Sequence, residues 1–251
     1  MTINLMARGT TAPPLRPGHR RRLLTVPGHR RLLTVSGLAG VGYSLSWIAG
    51  LAVPAPSPGF GASGTEIVAA LSGHGPAVAA QFTLTEGLPA AGIAVIAVAL
   101  ARTARRSGST AAARFALVAG LAAAVISAMQ FGLGLALTAT SAPGPAHLLV
   151  TSVDRLDGVK MLALAVLGAA AATMIALPRW LRWTGIALAV AITCSGLVYL
   201  LLIAPLAAAA GPALVLLLAF MTGCGIMTGM TAGPEEKLKT RAVAVVDITN
   251  S

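Results

Sequence analysis

Six long apolar blocks, each closed off by prolines, glycines or arginines, constrain this chain more than any other feature. They run over about 33–53, 77–101, 115–138, 156–177, 184–206 and 212–230. A bilayer crossing needs about 20 mostly apolar residues wound as a helix, because hydrocarbon offers the backbone no hydrogen-bond partner. The alternative is a water-soluble domain, which must cover its surface with polar groups. About a quarter of the residues in such a domain are charged; here the share is 10%. The reading is therefore an all-α integral membrane bundle of six transmembrane helices.

Arginine and lysine placement gives the orientation, since they favour the cytoplasmic side of short loops. Seven arginines precede the first block. Arg102, Arg105, Arg106 and Arg114 lie between the second and third, Arg179 and Arg182 between the fourth and fifth, and Lys237, Lys239 and Arg241 after the sixth. Of the 18 basic residues, only Arg155 and Lys160 fall on the opposite side. Both termini are expected in the cytoplasm of a bacterial cell with the protein in its inner membrane. Trp180 and Trp183 stand where an interfacial aromatic belt would place them. The net charge of +11 is thus read as orientation, and no nucleic-acid partner is expected.

Residues 1–32 form a basic tail in which "PGHRRRLLTV" is followed by "PGHRRLLTV". The second copy anchors the first span; Pro27 keeps the first copy from extending it. Such a tail suits anionic lipid headgroups. Paired arginines before an apolar run also resemble an export signal, but five more blocks follow and no A-x-A cleavage site closes the first. The membrane domain is read as 33–232 and a short cytoplasmic tail as 233–251. One small surface helix is expected near Thr65–Leu71. Cys194 and Cys224 are read as small buried hydrophobes.

The most enzyme-like string is "DRLDG", Asp154–Gly158. It resembles the opening of the membrane CDP-alcohol phosphotransferase motif, which implies a divalent-metal site built from aspartates. The likeness stops there: Met161 and Leu162 replace its Ala-Arg, and Ala171, Ile175 and Arg179 replace its later glycine and aspartates. The string is read instead as a helix start, with Thr151 and Asp154 as a capping box, both aspartates in the first turns, and Lys160 paired with Asp157 three residues away. No histidine lies in a span, and Glu66, His74 and His147 match no metal spacing. No catalytic constellation, cofactor or metal is expected. Residues at intervals of four (Gly42, Ser46 and Gly50; Ala128, Gly132 and Ala136; Gly225 and Gly229) are read as close-packing faces, within the chain or toward a second copy or membrane partner.

Depth supplies the remaining signal. At a rise of about 1.5 Å per residue, Glu86 lies about 6 to 12 Å below the outer surface, with Gln130 and Tyr199 at similar levels. Lys160 is shallower but long enough to reach down to Glu86, and Ser46 fits on the first span. Ionisable groups inside a bilayer face the bundle interior and pair. The expected ligand-binding set is Glu86, Gln130, Asp157, Lys160, Tyr199 and Ser46. Two functions compete: a non-enzymatic structural or interaction role, with that layer pinning the bundle, or a small transporter or ligand-binding bundle that uses it as a pocket.

"RLDGVKMLALAVLGAAAATM", followed by "LPRWLRWTGIALAVAITCSGLVYLL", resembles uncharacterised multi-pass membrane proteins of high-GC bacteria. The resemblance implies about six helices and no assigned activity.

Overall fold

The computed structural model describes residues 34–59, 61–202 and 210–249, the last nineteen as backbone only. The duplicated basic tail up to residue 33 lies outside them. Among the described residues the fold is all-helical: α1 (Val35–Leu51), α2 (Gly64–Leu71), α3 (Gly75–Phe82), a π-helical turn (Thr83–Gly87), α4 (Leu88–Arg106), α5 (Thr110–Thr138), α6 (Pro143–Ala172), α7 (Arg179–Leu201) and α8 (Ala210–Thr249). Among the described residues, four segments are long and apolar enough to cross a membrane: Gly75–Arg106, Thr110–Thr138, Arg179–Leu201 and Gly211–Met230.

The six long elements close into a ring. Going round it, α1 packs on α4, α4 on α5, α5 on α6, α6 on α7, α7 on α8, and α8 returns to α1. Residue pairs show that neighbours run antiparallel: Gly158 meets Gly196 while Gly168 meets Gly185, and Gly40 meets Met221 while Gly229 meets Thr34. The start of α1, the α4–α5 loop and the α6–α7 turn therefore share one end of the bundle, and with them Arg102, Arg105, Arg106, Arg114, Arg179 and Arg182. Arg182 Nε closes that turn by donating to the Ala172 carbonyl at 2.8 Å.

The surface is apolar where a soluble protein's would be polar. Leu38, Leu45, Ile48, Phe115, Val118, Val125, Val190 and Val215 all point outward, an arrangement that water would not tolerate over so large an area. Inside, alanines and glycines bring helices together around Ile96, Leu100, Leu167, Leu188 and Phe220. A Cβ on Gly158 would lie 2.7 Å from the Gly196 carbonyl and 2.8 Å from the Leu200 nitrogen, so α6 and α7 touch backbone to backbone.

Several expectations need correction. Helix α6 begins at Pro143, not near 156, because a proline in its first turn starts it directly after the short link from α5. Thr151 and Asp154 are therefore mid-helix and form no capping box. The helix also stops at Ala172, before 177. The α8 backbone runs past Gly233-Pro234 to Thr249, where a break was expected. Gly42 faces open space, and the buried face of α1 carries Gly37, Gly40, Tyr43, Ser46 and Gly50 instead. Ala128, Gly132 and Ala136 all face outward, because the partner-facing side of α5 is lined by Ala119, Ala123, Ser127, Gln130 and Gly134. Cys224 is buried as expected, but Cys194 is exposed. The small helix appears at Gly64–Leu71, where Ser63 and Glu66 complete a capping box.

Two tests follow from this packing. Gly158→Val should lower stability by about 1–3 kcal/mol through overpacking, whereas Gly132→Val, in open space, should leave thermal unfolding in detergent nearly unchanged. The Glu66 carboxyl is held below the usual carboxylate range by the Ser63 backbone N–H and then by the Ser63 hydroxyl. A group lowered in the folded state stabilises above its unfolded pKa and loses that contribution as pH falls through the lowered value. Proteolytic protection of α2 should therefore decline on acidification below the ordinary carboxylate range, and Glu66→Ala should remove that pH dependence.

Candidate functional site

Glu86 sits in the π turn between α3 and α4. The Leu88 N–H bonds to the Thr83 carbonyl, five residues back, so one extra residue is fitted into the helix. Pro89 helps cause this: it has no N–H to offer the preceding turn. Thr83 and Thr85 return their hydroxyls to the Ala79 and Gln81 carbonyls at 2.7 and 2.9 Å. The added residue shifts the helix phase, so that Val78, Glu86, Pro89 and Ile93 all end up buried.

The carboxylate of Glu86 meets the tip of Lys160 from α6. Lys160 Nζ donates to Glu86 Oε1 and Oε2, each at 2.8 Å, and pairs with Asp157 Oδ1 at 2.7 Å. Side-chain exposure is 6% for Lys160 and 8% for Glu86, against 18% for Asp157. From α5, the Ser127 hydroxyl donates to Glu86 Oε2 at 2.5 Å and lies 3.2 Å from the Glu86 backbone carbonyl. Gln130 Nε2 donates to the Val153 carbonyl at 3.1 Å and to Asp157 Oδ1 at 3.3 Å. Gln130 Oε1 is buried and has no hydrogen-bond partner among the described residues.

The structure thus brings together Glu86, Gln130, Asp157 and Lys160, drawn from three elements. Tyr199 lines the cavity beside the cluster. Ser46 stands apart, because its hydroxyl is spent on the Tyr43 carbonyl one turn back, at 2.9 Å. Ser127 was missed, since nothing in the sequence separates it from the many small residues of α5. Tyr43 was missed as well; it is buried on the inner face of α1, three residues before Ser46.

The cluster is not sealed. A cavity of about 240 Å³ adjoins it between α1, α6, α7 and α8, walled by Tyr43, Trp47 and Tyr199, with Asp157 and Lys160 on one side and aliphatic side chains on the other. Leu51 and Gly211 also line it, so it reaches the bundle end opposite the arginines. A shallower groove of about 770 Å³ at the arginine end is bordered by Arg102 and Arg106.

Charge explains why the lysine dominates. Two carboxylates share one ammonium, and removing one partner of a buried pair leaves an uncompensated charge. Lys160→Met should therefore lower stability by about 3–5 kcal/mol. Glu86→Gln leaves a neutral Lys160–Asp157 pair and should cost only about 1 kcal/mol. Thermal unfolding of the two variants in detergent checks this order; equal losses would contradict it.

Comparison with protein-family models, with curated proteins and with solved structures found no match for this chain.

Proposed function

We propose that this chain is a six-span, non-enzymatic protein of the bacterial inner membrane, with both ends in the cytoplasm, whose outer cavity binds a small ligand. Two helices must be added to the four that qualify on length and composition. Helix α1 has 17 residues, about 25 Å at the helical rise, close to the hydrocarbon thickness. Helix α6 has 30 residues, about 45 Å, and falls short only in apolarity. Its charges Asp157 and Lys160 are paired inside the bundle, which is how a spanning helix carries such groups. It also lies between α5 and α7, two helices that do qualify. The arginine-rich end is assigned to the cytoplasm by the basic-residue bias, and its groove faces the headgroups there.

One observation carries the ligand reading: Asp157 and Lys160 belong to the ion cluster and to the cavity wall at once. A purely structural pin would be closed off by neighbouring side chains. Transport is a weaker reading than binding. A three-plus-three inverted repeat would break matching helices in both halves, but the π turn before α4 has no counterpart in the continuous α7.

Cysteine accessibility tests orientation and cavity together. In a background of Cys194→Ala and Cys224→Ala, Ser141→Cys and Leu214→Cys should react with a small membrane-impermeant methanethiosulfonate applied outside intact cells. Ser107→Cys should react only after lysis. Labelling of Ser107→Cys from outside would overturn the topology, and an inert Leu214→Cys would overturn the outward cavity.

A further inference from the structure

We infer that the cavity beside Lys160 selects an organic monocation, an alkylated ammonium small enough for about 240 Å³. The inference rests on the ligand-binding reading above and names its chemical class.

Charge balance is the first ground. Glu86 and Asp157 bring two negative charges to a site where Lys160 brings one positive charge, and Lys160 Nζ is already engaged by both carboxylates. With all three groups ionised the cluster carries an excess of one negative charge. An anionic ligand would raise that excess and would have to draw Lys160 away from a carboxylate. A neutral ligand would leave it unchanged, and a monocation cancels it. In a low-dielectric surround this difference is large, because Coulomb energies grow as the effective dielectric falls.

The second ground is the wall. Tyr43 and Trp47 on α1 and Tyr199 on α7 are three of the ten aromatic residues in the whole chain, and all three border this one cavity. Aromatic faces attract cations through the ring quadrupole, and aromatic cages are the usual means of holding quaternary ammonium groups. The remaining wall, including Met161, Leu164, Leu214 and Leu217, is aliphatic and suits the carbon substituents of such a cation. Asp157 keeps 18% of its side-chain exposure, more than either of its partners in the cluster, and so is the carboxylate placed to meet the charge.

Trp47 provides the readout, since the other two tryptophans, Trp180 and Trp183, lie at the arginine end on α7. In Trp180→Phe/Trp183→Phe protein reconstituted in lipid nanodiscs, fluorescence is titrated with choline, with its uncharged isostere 3,3-dimethyl-1-butanol, and with the anion 3,3-dimethylbutanoate. The cation should perturb Trp47 and bind at least tenfold more tightly than the other two probes. Asp157→Asn should remove the preference, and Leu214→Phe, which fills the cavity without touching the cluster, should weaken all binding. Equal binding of cation and alcohol would overturn the charge selection and leave the ligand cavity standing. Preference for the carboxylate would also overturn it. Silence of Trp47 to all three probes would overturn the cavity reading and the inference together. The comparison of probes needs only the reporter protein, so it stands even if Asp157→Asn fails to fold.

Discussion

One ammonium group, the tip of Lys160, holds the interior of this bundle together. It touches carboxylates from the π turn and from its own helix, with Ser127 and Gln130 of α5 as the next layer of hydrogen bonds. In hydrocarbon neither the lysine nor the carboxylates could stand alone, since an unpaired charge there costs several kcal/mol. The pairing is what allows α6, with Asp157 and Lys160 on its inner side, to pack between two strongly apolar helices. Closure of the ring and the burial of Glu86 both depend on it.

The rest of the interior follows a different rule. Where hydrocarbon surrounds a protein, burying more apolar area gains little, and helices adhere through close fit and backbone approach. Gly158 against Gly196, Gly168 against Gly185 and Gly40 against Met221 are such approaches. Larger side chains are displaced to the outer face, where lipid can cover them. Small residues between helices leave gaps only where large residues prop them apart. The cavity is one such place: Tyr43 and Trp47 of α1 and Tyr199 of α7 line it beside Asp157 and Lys160.

Much of the architecture could be read without coordinates. Helical class, the positions of most long elements, the small helix after Ser63 and the Asp157–Lys160 pair all follow from apolar runs, helix-start residues and helical spacing. Depth counting put Glu86, Gln130 and Tyr199 at one level, with Lys160 shallower but long enough to reach Glu86. The errors were phase errors. The period of four at Gly42 and at Ala128–Gly132–Ala136 marks no face packed within the chain, because apolar residues cover every side of these helices. Polarity therefore cannot say which side meets a neighbour. The early start of α6 was hidden by its polar first turns, and the continuation of α8 by the Gly233-Pro234 pair and the charges after it.

The sequence by itself determined that this chain is helical, apolar in long runs and asymmetric in its basic charge, because chain length per crossing and the cost of exposed backbone depend on local composition. Only the tertiary structure decided which helices are neighbours, that one extra residue at Thr83–Gly87 turns Glu86 inward, and that the ion cluster shares a wall with an aromatic cavity. Those features depend on helix phase and on contacts between segments far apart in the chain, and a sequence so uniformly apolar carries almost no signal for either.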